Sequence, residues 1–315
     1  MNWLGTCWHY IRKEKDSLLG HTEEEFKACL DMLAKDFIIL EPKPNAIPPF
    51  VEPGQIIWID RPDIFTGVLL TFDDGLEDHY RAAKILHERG LKAIFFIPTC
   101  IFQDNVPPNP NIIHYGIAEY RIKGFIEACE KADGPLGLNL TQSPDAIIKD
   151  IKKHFKYSLP PGYSRLILLE VYRELLLKND PKILEKMCLT ESQVKEMIQM
   201  GHTIGIHSRT HPHVVRSNFD FEINSPRAFM EEKFKVPVTA FSYPFGHKDR
   251  DCLPPALFKE HQDGYKYAFT VEEKVNRAGT DPYDLGRYMP HSTDTPERLK
   301  KKLKGIIDET SPVHI

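Results

Sequence analysis

The six cysteines of this 315-residue chain (Cys7, Cys29, Cys100, Cys129, Cys188 and Cys252) include no close pair. That absence speaks against a thiolate zinc site or a disulfide framework and favours buried or free thiols. The chain also lacks any run of the roughly 18–20 apolar residues that a membrane helix needs. Its start, Met1-Asn2-Trp3-Leu4-Gly5-Thr6-Cys7, leads quickly into Arg12, Lys13 and Glu14, without the basic start, apolar run and cleavage site of a secretory leader. A cytoplasmic protein without a membrane span is expected. Charge of one sign is scarce: the net charge is −4 with both signs dispersed, so no basic patch argues for nucleic acid or an anionic membrane. No internal repeat is visible. With 41% hydrophobic and 27% charged residues, the chain has the composition of a globular protein and ample length for a core.

What is present is alternation. Residues 22–36 read as an amphipathic helix: Thr22 and Glu25 have capping-box spacing, and Phe26, Leu30, Leu33 and Phe37 form one stripe. The proline-rich stretch 41–54 reads as a connection. An apolar run at 68–72 ends at Asp73-Asp74-Gly75; a helix follows with Tyr80, Ala83, Leu86 and His87 on one side, closed by Gly90. The next strand is expected at 93–97. After residue 190 the pattern resumes, with a second capping box (Thr190, Gln193), strands at 203–206, 239–243 and 265–270, and helices opened by Ser225-Pro226 and Thr295-Pro296. Such alternation predicts a largely parallel sheet, open or closed into a barrel. Residues 102–189 break it with Pro-Pro turns and helical stretches such as 165–177. They read as a helical insertion within one domain formed by 1–101 and 190–315.

Three features at the ends of expected strands could do chemistry, where such folds place their sites. Asp73 and Asp74 are adjacent carboxylates, which repel unless a cation or shared proton relieves them; one can bind metal while its neighbour acts as a base. The plainer reading is a surface turn. His207 and His211, four apart, can converge on one ion, although two solvent-facing histidines among fourteen would look the same. Joined to the acidic pair they form an Asp-His-His set with open coordination positions. The third, Phe241-Ser242-Tyr243-Pro244-Phe245-Gly246, could form a rigid rim, but by itself reads better as a structural turn.

In order and content, TFDDG (71–75), HSRTHP (207–212) and FSYPFG (241–246) resemble the carbohydrate esterase and polysaccharide deacetylase family that shares the NodB homology domain. The resemblance implies an α/β fold, a distorted incomplete (β/α) barrel. It implies Asp73 as general base and Asp74, His207 and His211 as ligands of a divalent cation, zinc first, with cobalt, nickel or iron as alternatives. The family's general-acid histidine often lies in a C-terminal Leu-x-His motif, which is missing here. Circularly permuted members carry it on an N-terminal strand, which Cys7-Trp8-His9-Tyr10-Ile11 resembles; His9 is the choice, His291 the rival. Many members orient the base with an Arg where this chain has Ser242, which leaves Arg287 as the candidate partner of Asp73. Tyr243, Pro244, Phe245 and Arg287 are the expected substrate contacts.

The implied activity is metal-dependent hydrolysis of the N-acyl amide, N-acetyl first, of an amino sugar. A cytoplasmic setting favours a nucleotide-linked or lipid-linked precursor of surface polysaccharide or lipopolysaccharide over a finished glycan. The same motifs serve a deformylase, an ester hydrolase or a cyclic-amide hydrolase. An inactive carbohydrate-binding protein is the alternative of another class.

Overall fold

The computed structural model describes residues 2–18, 20–43 and 66–309; the connection expected at 41–54 lies outside the described residues from 44 onward. Among the described residues ten strands are present: β1 (Asn2–Trp8), β2 (Ile11–Arg12), β3 (His21–Thr22), β4 (Ile38–Leu40), β5 (Thr66–Phe72), β6 (Ile94–Ile97), β7 (Thr203–Ile206), β8 (Ala240–Ser242), β9 (Tyr267–Phe269) and β10 (Arg287–Tyr288). Eight form one sheet in the order β10-β1-β5-β6-β7-β8-β9, with β4 also on β5, and every pair is parallel. A parallel bridge from Phe269 to Leu285 brings the far edge back toward the segment that leads into β10. The sheet is thus a nearly closed barrel with helices around it, as expected.

The apolar runs become strands because both faces are covered, as a parallel sheet requires. Alternate side chains divide between two cores. Leu69, Ile94, Phe96, Tyr267 and Phe269 belong to the smaller one. Val68, Leu70, Phe72 and Phe95 face helices in the larger one, where the Phe72 and Phe95 rings stack at 4.6 Å.

The helices begin where local chemistry predicts. In α1 (Glu23–Asp36) and, further along, in the helix Glu191–Gln199, Thr22 with Glu25 and Thr190 with Gln193 form complete capping boxes, each cap stabilising by about 1 kcal/mol. One face needs correcting. In α2 (Asp78–Glu88), His87 is exposed and Tyr80 half-buried, while His79, Ala82, Ala83 and Leu86 form the buried side. Between β6 and β7 come α3 (Cys100–Gln103), α4 (Asn109–Asp133, broken at Arg121), α5 (Pro144–Lys153), α6 (Pro161–Val171), α7 (Ile183–Met187) and α8, the capped helix Glu191–Gln199. Turns of π-helix extend α5 over His154–Ser158 and α6 over Tyr172–Leu177. The chain then adds α9 (Ser225–Phe234), α10 (Lys248–Asp251), α11 (Pro255–His261) and α12 (Pro296–Glu309).

Two strands carry surprises. The N-terminal strand expected around 7–11 runs earlier, ends at Trp8 and lies inside the sheet between β10 and β5. Its register, from Asn2 opposite Thr66 to Trp8 opposite Phe72, ends both strands at one level. His9 and Asp73 therefore emerge side by side. No strand was expected at Arg287–Tyr288, a run too short to show periodicity.

Candidate active site

β5 ends at Phe72, and the backbone turns at once: Asp73 N–H donates to Trp8 O at 3.1 Å, and Asp74 and Gly75 have φ of 84° and 62°. Gly75 suits that turn, since a Cβ there would lie 3.0 Å from both Ile97 and Ile101. Both carboxylates are buried but have different partners. The Arg287 guanidinium grips Asp73 with two bonds of 2.8 Å, to Oδ1 and Oδ2. Ser242 Oγ donates to Oδ2 at 2.8 Å and itself accepts from Arg287 at 2.7 Å; the Cys7 thiol donates to Oδ2 at 3.2 Å. Burial raises the Asp73 pKa, but the adjacent Arg287 charge and its hydrogen bonds outweigh that and hold it well below the usual carboxylate range.

Arg287 thus takes the post left open by Ser242. It is fully buried, its other donors reach Thr71 Oγ1 at 3.0 Å and Thr270 O at 2.9 Å, and its guanidinium lies over Phe96 and Phe269. Arg287, expected as a substrate contact, is absent from the cavity lining. Pro244 is likewise buried and takes no part in the cavity lining, whereas Tyr243 and Phe245 do line it.

Asp74 meets the histidines. Its Oδ1 lies 3.4 Å from His207 Nε2 and 3.2 Å from His211 Nε2, and the donor atoms of all three residues fall within 4.8 Å of one another. His207 Nδ1 lies 2.8 Å from the Ser242 carbonyl, which can only accept. Nδ1 therefore carries the proton, and in the neutral ring Nε2 turns a lone pair toward Asp74. Asp74 Oδ1 is buried without a hydrogen-bond partner, as is His211 Nδ1. Acceptor lone pairs converging in a buried place form a donor set that fits a divalent cation.

The loop holding the histidines is bent. Ser208 and His211 have φ of 60° and 61°, and the His211 ring packs edge-on against Phe245 at 4.7 Å. Glu222, in a π-helical turn (Asp220–Asn224), is buried and accepts from the backbone N–H groups of Arg209 (3.0 Å) and Thr210 (2.9 Å) and from the Thr210 hydroxyl (2.7 Å). Sequence reasoning missed this support, and a lone Glu 11 positions downstream of His211 gives no signal for it.

His9 Nε2 stands 3.8 Å from Asp74 Oδ2, and His9, Cys7 and Asp73 also have donor atoms within 4.8 Å of one another. His291 lines the same cavity but is exposed, its backbone N–H donating to Asp294. The cavity, about 570 Å³, is walled on one side by residues between β6 and α8, among them Asn109, His114, Lys152 and Lys156. None of these was singled out from the sequence.

Residues 169–267 match the family model described as polysaccharide deacetylase. That stretch includes the histidine and FSYPFG motifs and excludes Asp73 and Asp74. No curated protein sequence matches the chain. The Streptococcus pyogenes deacetylase PplD in complex with acetate superposes with a TM-score of 0.54 at 15% identity, over 96% of this chain and 98% of that one. BC0361, a polysaccharide deacetylase from Bacillus cereus, gives 0.53 at 14%, over 96% and 69%. IcaB from Ammonifex degensii gives 0.50 at 16%, over 96% and 97%. These structural likenesses are of fold. With the family match, they bear out the resemblance to polysaccharide deacetylases and the expected NodB-type barrel.

Proposed function

We propose that the chain is a metal-dependent N-deacetylase of an acylated amino sugar. The observation that carries this reading is the convergence of Asp74, His207 and His211 beside a second acid held by its own arginine. When bound, a divalent cation, zinc first, would supply Lewis acidity to the acyl carbonyl and the attacking water. Asp73, kept ionised by Arg287, accepts a proton from that water. Negative charge on the carbonyl oxygen needs a donor from the Tyr243-Pro244-Phe245 rim. The Tyr243 N–H is already given to Phe269 O at 3.0 Å and proline has none, so the Phe245 N–H is the donor we assign. His9 protonates the departing amine, so that the C–N bond breaks to leave a carboxylate and a free amino sugar.

We assign residues 102–189 as an insertion that roofs the site, a reading supported by its side chains in the cavity wall. Six free, buried cysteines suit a reducing compartment, and no described helix is long and apolar enough to cross a membrane. A nucleotide-linked or lipid-linked cytoplasmic precursor is therefore our preferred substrate form.

The deciding assay strips the protein of metal, reloads it with zinc or cobalt, and follows acetate or formate release from acylated amino sugars. Release should require the metal, and Asp73→Asn should lower kcat by about 10²–10⁴-fold. Unchanged turnover in Asp73→Asn would remove the assigned base. Release of formate instead of acetate would make the enzyme a deformylase.

A further inference from the structure

The cavity wall formed between β6 and α8 carries two lysines of unequal standing. Lys152, in the last turn of α5, and Lys156, one turn further along the π-helical extension, both line the cavity. Lys156 is compensated: its Nζ lies 3.3 Å from the buried carboxylate of Asp251 and 3.6 Å from the centre of the Phe245 ring. Lys152 has no carboxylate within 4.0 Å among the described residues. Its side chain is exposed at the cavity; desolvation by neighbouring protein lowers its pKa, while the Asp74 charge opposes the shift. The His114 pKa is pushed down to about 3, first by burial and then by the Lys152 charge. Lys152 lines one cavity with Asp74 and His114.

Its counter-ion is not supplied by the neighbouring acids. Asp73 is matched by Arg287, and Asp74 by the two histidines and the cation they fit. Asn109, on the same wall, accepts from Arg165 through Oδ1 at 2.9 Å, which leaves its NH₂ group free to donate into the cavity. An ammonium with no carboxylate partner and an amide donor lining the same cavity are groups that can receive an anion.

We propose that the acylated sugar carries an anionic group, phosphate or carboxylate, received by Lys152 with help from Asn109 on the same cavity wall. The proposal rests on the deacetylase reading above and narrows its substrate class. A volume of about 570 Å³ suits a sugar with one charged substituent, within the ordinary range for small-ligand sites.

The test compares the cation-loaded wild type with Lys152→Ala and Lys152→Arg. The substrates are N-acetylglucosamine, its 1-phosphate, its 6-phosphate and N-acetylglucosaminuronate. Wild type should favour at least one anionic sugar over the neutral one by about tenfold or more in kcat/KM, the worth of one charge-assisted hydrogen bond. Lys152→Ala should erase that ratio chiefly through KM, and Lys152→Arg should keep it. Which anionic sugar is preferred separates phosphate from carboxylate. No charge preference in wild type, or a preference that survives Lys152→Ala, overturns the proposal.

Calorimetric binding of the same sugars to all three proteins separates the two readings. Charge-selective binding abolished in Lys152→Ala, with no acyl release from any sugar, would overturn the deacetylase reading and uphold the anion site. Acyl release without charge preference would do the reverse.

Discussion

Asp73 and Asp74 are adjacent and both buried, yet a guanidinium fork holds one and two imidazoles face the other. That difference in partners underlies the roles we propose for them. Arg287 is the most consequential single residue, because replacing it with alanine would leave a buried carboxylate unmatched. Arg287→Ala should therefore cost about 3–5 kcal/mol, measurable by urea unfolding. Arg287→Lys keeps a charge but loses the planar fork. Losing hydrogen bonds that favour the ionised form raises the Asp73 pKa. The acid limb of the kcat/KM profile should then move to higher pH than in wild type. A limb that stays put would show that Asp73 is not the group titrating.

The elements matter through what their ends hold. The loop after β7 carries two non-glycine residues at positive φ, each costing on the order of 1 kcal/mol. It keeps that shape because Ser208 Oγ accepts from His211 N–H at 2.9 Å and Glu222 ties down the next turn. Glu222→Ala would free two backbone N–H groups and let His211 drift from Asp74. Zinc affinity in a chelator competition should fall by about 10–100-fold, the usual loss when outer supports of ligands are removed. Unchanged affinity would mean that the loop holds itself. On the opposite wall, Asp251 joins α10 to the segment after α5, accepting from Tyr157 Oη at 3.0 Å with Lys156 Nζ at 3.3 Å. Burial nevertheless lowers the Lys156 pKa to about 8, with Asp251 opposing the shift.

For the whole molecule, stability against acid turns on buried neutral histidines. His202 accepts from the Ala93 N–H through Nδ1 at 3.3 Å, and its Nε2 lies 3.0 Å from the Ala83 carbonyl. One neutral tautomer thereby links α2 to the β6 edge of the barrel. Burial lowers its pKa to about 4, against about 6.5 in an unfolded chain. The unfolded state binds a proton there that the folded state refuses. Stability is therefore fully present above pH 6.5 and is lost as pH falls toward 4, at up to about 1.4 kcal/mol per pH unit. Urea midpoints measured between pH 7 and 4 should fall, and His202→Asn should flatten part of that slope. An identical slope in the variant would assign it to other groups.

Much of this was legible in the sequence, for reasons of locality. Capping boxes span three residues, strands and helices announce themselves by period, and the two motifs holding Asp73, Asp74, His207 and His211 are short runs whose resemblance to a family supplied their roles. Within the α2 helix the same local reading misjudged the face, because Tyr80 and His87 fit the period while packing chose His79 and Ala82. What the sequence by itself determined was the parallel α/β alternation, the chemistry of the donor set and the family resemblance. Only the tertiary structure decided the rest: that Arg287, a candidate from the sequence, sits on Asp73, 214 positions away, that Glu222 lies under the histidine loop, and that Lys152 lines the cavity. The first depends on β10 pairing with β1 beside β5, the second on the fold of the segment after β7, and the third on helix packing between β6 and β7, none of which leaves a period for a linear reading to find.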